Sequence, residues 1–367
     1  MKITGLRVLI FERRPDPHNE TPDYIVHPTR QNGLAIIDTD AGIQGLISAE
    51  AAYLRQLAHL WSAAREHIEG QDPFDRVKIE DLLRRRFKWQ QRIVGLLDYG
   101  LWDLAGKAFN QPVYKLLGAA RDKMLAYAST VHHSTDERFL DSVLRSQDAG
   151  YRAIKLHPYC KLEDDLRLVY KVRQAVGDEM VLMIDTLAYP GPYTRDEASR
   201  MGRALDELNY WWFEDPLVKT DLDGLAALAR ECKVVQIRAA DLADSLAECG
   251  NLVKYGCVDI IAAPGMWGIT EAMKVAALAE AHGIKMEPHD FYFYGGVASL
   301  HVALAVTNAD YYELAVPEGC FDTMLYPGVY LSPPAIDREG YIHGPTTPGL
   351  GFEVDMKEAE KVTVERL

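Results

Sequence analysis

The sequence predicts an α/β protein in which a closed parallel barrel follows an α+β domain, and three observations carry that reading. Eight short apolar runs recur at intervals of about 25 to 30 residues after Met124. Helical spacing fills the gaps between them. The first 118 residues instead show antiparallel strand signals and then a long helical stretch.

Residues 2–11 alternate and are rich in Ile, Leu and Val, Leu34 to Asp38 repeats the signal, and Gln44 to Ile47 returns after the turn Thr39-Asp40-Ala41-Gly42. That is a short antiparallel sheet. Between the first two strands, Arg13 to Asn32 carries four prolines together with His18, Asn19, Asp23, Tyr24, His27 and Arg30. A polar loop of this length in a compact domain is a candidate functional segment. From Ala49 to Gly118 the spacing is helical, clearest at Ile93, Leu96, Leu97, Leu101, Leu104, Ala105 and Ala108, until Asn110 and Pro112 stop it.

The strand candidates are Met124 to Ala128, Arg152 to Leu156, Val181 to Ile184, Tyr210 to Phe213, Val234 to Ile237, Val258 to Ala262, Ile284 to Met286 and Tyr311 to Leu314. Capping signals open several intervening helices: Ser134 with Glu137, Thr194 with Glu197, and Thr220 with Asp223. A doubly wound open sheet is the alternative, but no GxGxxG follows the first strand. The expected organisation is a capping domain over 1–120, a barrel over 121–325, and a Pro- and Gly-rich segment, 326–367, packing back on the capping domain.

Composition limits the function. The chain of 367 residues is 48% hydrophobic and carries a net charge of −14, so it can fill a large core and lacks the basic surface that a nucleic-acid binder needs. Five scattered cysteines without CxxC spacing suit a reducing compartment. The first 14 residues lack the features of a secretory leader, and no apolar run approaches the roughly 18 residues of a membrane span. A soluble cytoplasmic protein, with neither nucleic acid nor membrane as partner, is expected.

In a parallel barrel the active site lies at the carboxyl ends of the strands. Here strand two ends in Lys155-Leu156-His157, strand three in Asp185, strand four in Glu214-Asp215-Pro216, strand five in Asp241, strand seven in Glu287-Pro288-His289-Asp290 and strand eight in Glu313. Three successive strands thus offer Asp185, Glu214 and Asp241 side by side. Such carboxylates repel one another unless a cation sits among them, and ligation by oxygen alone favours a hard ion such as Mg²⁺. Each acid taken singly could instead cap a helix or pair with an arginine. Lys155 and His157, two apart on a strand, share a side. His289 enters from across the barrel, so two bases could flank one bound substrate. His59, His67, His282, His301 and His343 read as hydrogen-bonded structural residues.

These residues resemble the enolase superfamily, and within it the mandelate racemase-like group, over nearly the whole chain. Asp98-Tyr99-Gly100-Leu101-Trp102-Asp103-Leu104-Ala105-Gly106-Lys107-Ala108, then Gln111-Pro112-Val113-Tyr114 and Leu116-Leu117-Gly118, is similar to that family's capping-domain signature. Lys155-Leu156-His157, Trp212-Phe213-Glu214-Asp215-Pro216, Glu287-Pro288-His289 and Pro348-Gly349-Leu350-Gly351 match its later motifs. The resemblance implies a modified (β/α)₇β TIM-type barrel with an N-terminal α+β capping domain, and Mg²⁺ holding a small-molecule carboxylate substrate. As is established for enolase-superfamily sites, the shared step is removal of the proton α to that carboxylate. By position, Asp185, Glu214 and Asp241 are the metal ligands, His157 and His289 the acid and base, Lys155 a positive charge and Glu313 a contact to the intermediate. His18, Asn19, Tyr24, His27 and Arg30 become substrate-binding residues of a closing loop, and a homo-oligomer is expected by resemblance alone.

The sequence departs from the pattern in four places. Asp241 stands where glutamate is usual, and a one-residue shift would leave only Ala240. Strand six carries no acid to orient His289, a role then left to Asp290 or water. Histidine occupies 157 where lysine is more familiar, and Leu187 replaces a polar substrate contact. The expected activity is a sugar-acid dehydratase. A racemase or epimerase on the same scaffold, and a catalytically silent binding protein with a degenerate site, are the alternatives.

Overall fold

The computed structural model describes residues 1–12, 14–15, 29–88, 90–186, 193–241, 243–263, 267–289, 297–316, 326, 328–331 and 334–367. The substrate-loop positions His18, Asn19, Tyr24 and His27, and also Leu187 and Asp290, lie outside these residues, and of Arg30 only the backbone is described.

The chain opens with β1 (Ile3–Phe11), the short β2 (Arg14–Pro15) and β3 (Thr29–Arg30), then β4 (Asn32–Thr39) and β5 (Gly45–Glu50). Helices α1 (Ala51–Ile68), α2 (Arg76–Arg86), α3 (Gln91–Ala108) and α4 (Val113–Leu116) follow. The barrel alternates β6 (Lys123–Thr130), α5 (Asp136–Asp148), β7 (Ala153–Leu156), α6 (Leu162–Val176), β8 (Val181–Asp185), α7 (Arg195–Glu207), β9 (Trp212–Glu214) and α8 (Leu222–Glu231). It continues with β10 (Gln236–Ala239), α9 (Leu246–Lys254), β11 (Ile260–Ala263), α10 (Ile269–Ala281), β12 (Lys285–Pro288), α11 (Ala298–Ala305) and β13 (Tyr311–Val316). After it come β14 (Tyr341–His343), α12 (Met356–Val362) and β15 (Thr363–Arg366).

The first sheet is antiparallel in the order β15-β1-β4-β5, so the strand at 363–366 pairs with the strand at 3–11. The barrel strands are parallel in the order β12-β11-β10-β9-β8-β7-β6-β13, which brings the eighth beside the first. Its seam is held by the Met286 N–H, which donates to the Asn308 carbonyl at 2.9 Å, and by a side chain. Glu287 of β12, 1% exposed, accepts hydrogen bonds from the backbone N–H of Asp310 at 2.8 Å and of Tyr311 at 3.2 Å. Strands four to six begin two residues later than their apolar runs, because Tyr210, Val235 and Val258 are buried just before the ladder starts.

Period-two alternation sorts the barrel residues into two sets. Tyr127, Ala153, Met183, Trp212 and Ile260 form a small apolar cluster separate from the main core, at positions of one parity along each strand. Their next same-parity neighbours toward the carboxyl ends are Lys155, Asp185 and Glu214, so the interior changes from apolar to ionic one layer up. The capping box at Thr194 and Glu197 forms as expected. Two other caps fall one residue later, at Thr135 and Asp221, where the side-chain oxygens reach the N–H groups of Arg138 and Gly224.

The signature helix α3 fastens the capping domain to the barrel. Asp98, fully buried, accepts the Thr270 N–H and Oγ1–H at the start of α10, both at 2.8 Å. Asp103 accepts the backbone N–H of Leu46 and of Leu350, both at 2.8 Å. A side chain at Gly106 would lie 2.5 Å from the Gly349 Cα, and Gly349 itself has φ +83°, so each glycine is required by this crossing. His301, read as structural, proves so: its Nδ1 accepts the Tyr114 N–H at 2.9 Å, which leaves Nε2 to donate to the Leu350 carbonyl at 2.9 Å.

Candidate metal centre and active site

The strands β8, β9 and β10 lie side by side with Asp185 and Glu214 in direct register. One oxygen each of Asp185, Glu214 and Asp241 can be chosen so that all three lie within 4.8 Å of one another, and all three residues are buried. The donor set is all oxygen and anionic, which fits a hard divalent ion with room for water or substrate oxygens. Asp241 reaches the cluster through a backbone turn. By alternation after Arg238 the inward position would be 240, but Ala240 has φ +102°, which swings the chain so that the next residue points inward. The one-residue shift weighed from the sequence is thereby absorbed by strain in Ala240.

Lys155 is fully buried at the centre of the acids. Its Nζ lies 2.9 Å from Glu313, 3.3 Å from Asp185 and 3.3 Å from Glu214. Burial alone would lower its pKa, yet Glu313, Tyr127 and Asp185 outweigh that and hold it above the ordinary lysine value. It is a fixed cation. Glu313 also accepts the Ser129 hydroxyl at 2.8 Å. Burial would raise its carboxyl, but Lys155, His289 and Arg238 pull it well below the usual carboxylate range.

The two histidines stand at the two ends of the triad. His157 Nδ1 lies 2.5 Å from the Thr130 carbonyl, so it carries the proton, and Nε2 faces Asp185 at 3.1 Å. His289 Nε2 faces Asp241 at 3.3 Å while Nδ1 faces Glu313 at 3.4 Å. Burial lowers the His289 pKa, and Asp241 and Glu313 offset part of that. The acid that the sixth strand lacks is thus supplied by the eighth: among the described residues, Glu313 is the carboxylate against Nδ1. The seven residues given metal or catalytic roles from the sequence, Lys155, His157, Asp185, Glu214, Asp241, His289 and Glu313, meet in one cluster.

Three neighbours were given no role in the sequence reading. His132, just past β6, sets Nδ1 3.1 Å from the Pro158 carbonyl and its ring 5.5 Å from that of His157. The strand-end rule would have found it had it been applied to the first strand. Asp215 follows Glu214 with φ +43°, and burial, then Asp241 and Asp185, push its carboxyl well up. Arg238, fully buried in β10, lies against Glu214 and Asp241 of the acidic triad.

A (β/α)₇β barrel under an antiparallel capping sheet, with carboxylates on three successive strands and bases at either end of them, defines the enolase class of barrel enzymes. The chain belongs to the mandelate racemase/muconate lactonizing enzyme family of that superfamily: residues 13–118 match the family's N-terminal domain and residues 138–359 match the enolase C-terminal domain-like model. It is 32% identical over 269 residues to an arabinonate dehydratase of Saccharolobus solfataricus, covering 70% of this chain and 68% of that one. It is 29% identical over 372 residues to a D-galactarolactone cycloisomerase of Agrobacterium fabrum, with 97% of each chain covered. A crystal structure of D-glucarate dehydratase from Agrobacterium tumefaciens complexed with magnesium superposes with a TM-score of 0.85 at 26% identity, over all of both chains.

Proposed function

We propose that the protein is a Mg²⁺-dependent dehydratase of a sugar acid. The observation that carries this reading is the single buried cluster in which His157 and His289 stand at the two ends of the acidic triad. The relatives named as a sugar-acid dehydratase and a sugar-lactone cycloisomerase support it. Asp185, Glu214 and Asp241 would hold the ion, which when bound draws in the substrate carboxylate and stabilises the charge that spreads onto it as the α proton leaves.

The remaining chemistry belongs to the side chains. One histidine takes the α proton through Nε2, since Nδ1 is committed to Thr130 in His157 and faces Glu313 in His289. The other gives a proton to the β hydroxyl, which departs as water. The enol left behind gives up its hydroxyl proton and takes one up at the β carbon, giving a 2-keto-3-deoxy acid. Lys155 contributes fixed positive charge rather than a mobile proton, and the segment bearing His18, Asn19, Tyr24, His27 and Arg30 supplies hydrogen bonds to the substrate hydroxyls. Incubating Mg²⁺-loaded protein with a broad panel of sugar acids tests this. Formation of 2-keto product, lost in Asp185→Asn and Glu214→Gln, is expected. Neither keto product nor α-proton exchange in D₂O from any substrate would end the proposal.

A racemase or epimerase is the second reading, and the Glu313 contact favours it, because it equips His289 as a base in its own right. Exchange of the α proton without keto acid would select it.

A further inference from the structure

Arg238 is a residue that the chemistry above does not use, yet it lies against two of the three candidate metal ligands. It belongs to β10, pairs in register with Glu214 of β9, and is 0% exposed. Its Nη1 forms an ion pair with Glu214, and its Nη2 lies 3.4 Å from Asp241 while donating to the Glu287 carbonyl at 3.1 Å. Below it the guanidinium carbon sits 5.2 Å from the centroid of the Trp212 ring. A guanidinium keeps its charge at any ordinary pH, so this cation is permanent.

The carboxylates within ion-pair distance of the two fixed cations, Lys155 and Arg238, are four: Asp185, Glu214, Asp241 and Glu313. The formal remainder is two negative charges, which one divalent ion would neutralise. Without Arg238 it would be three. The second strand, moreover, carries histidine at 157 where a second lysine is the more familiar residue. The fifth strand places a permanent positive charge against two of the three candidate ligands.

We propose that Arg238 is a resident counter-charge of the metal centre: it holds Glu214 and Asp241 in place before an ion arrives, and its repulsion of that ion sets how tightly the ion binds. This rests on the reading that the triad holds Mg²⁺. Arg238 is accordingly a positioning residue. Coulomb repulsion between an ion and a guanidinium that share two carboxylates is large in a buried site, so removing it strengthens binding more than the lost ordering of two short side chains weakens it.

The test is calorimetric titration of MgCl₂ into EDTA-treated full-length protein, with thermal unfolding followed with and without the ion. Arg238→Met, which keeps bulk and discards charge, is expected to bind Mg²⁺ at least tenfold more tightly than the unmodified protein and to gain more melting temperature from it. Arg238→Lys, which keeps the charge, is expected to bind within threefold of the unmodified protein. Equal or weaker binding by the methionine variant overturns the proposal, as does a lysine variant that departs tenfold. Should the methionine variant fold only with Mg²⁺ present, that dependence is itself the expected result. Should it fold under neither condition, the lysine variant decides. If the unmodified protein binds no Mg²⁺ but Arg238→Met does, this inference stands and the Mg²⁺-dependent function falls. If neither binds, both fall.

Discussion

The Glu287 clasp makes a prediction with a definite sign. Its two oxygens accept two backbone N–H groups across the seam between β12 and β13, which favours the carboxylate, but complete burial favours the neutral acid and wins, pushing the carboxyl up to about 8. An acid whose native pKa lies above its unfolded value stabilises the fold below the unfolded pKa and loses that contribution as pH rises through the native one. From the ordinary 4.5 to about 8, at about 1.4 kcal/mol per unit, roughly 4 to 5 kcal/mol is lost across that window. Glu287→Gln mimics the protonated side chain and does not titrate. Urea unfolding at pH 5 and at pH 8.5 is therefore expected to show the wild-type protein losing about 3 to 5 kcal/mol of stability relative to Glu287→Gln as pH rises. Because every other titrating group is common to both proteins, it cancels from this difference. A difference that stays constant between the two pH values would refute the reasoning and mean that the two N–H donors keep Glu287 ionised throughout.

Other outcomes follow from single residues. Ala240→Gly relieves the φ +102° strain before Asp241 and is expected to raise stability by about 0.5 to 1 kcal/mol, after the entropy cost of glycine, with the Mg²⁺ affinity measured by calorimetry unchanged. His301, held neutral with its pKa lowered to about 4 by burial, makes the protein lose roughly 3 kcal/mol as pH falls from 6.5 to 4; His301→Phe should flatten that acid limb while costing about 2 kcal/mol at pH 7.5 in denaturant titration. Glu80, 2% exposed beside Asp98, has its carboxyl pushed well up by burial and by that neighbour, which favours the protonated side chain. Glu80→Gln should cost less than about 1 kcal/mol in the same assay, whereas an ionised Glu80 paired with Arg84 would cost several.

Much of the site was legible because barrel geometry converts strand ends into a ring. Asp185, Glu214, His157 and His289 could each be placed by counting from an apolar run, and side-chain alternation did the rest. Asp241 could not be settled that way, because its inward direction depends on the backbone at Ala240, and nothing in the string Arg238-Ala239-Ala240-Asp241 announces a positive φ. Arg238 was missed for a related reason. A charged residue at the end of an apolar strand reads as the point where the strand meets solvent, and only the three-dimensional ring of acids gives an arginine a reason to point inward. Glu313 was read as a contact to the intermediate. Its ties to Lys155, Ser129 and His289 join strands distant in sequence, which no local pattern reports.

The pairing of β15 with β1 reaches beyond architecture. Leu9 meets Arg366 and Phe11 meets Thr363, partners separated by about 350 residues of intervening chain. During synthesis, then, the first sheet waits with one edge bare until the whole barrel has emerged, and a bare edge is a template for pairing with other molecules. Fusions or cuts that delay or remove the stretch around 363–366 would leave newly made protein prone to aggregate, although every side chain of the acidic cluster were intact.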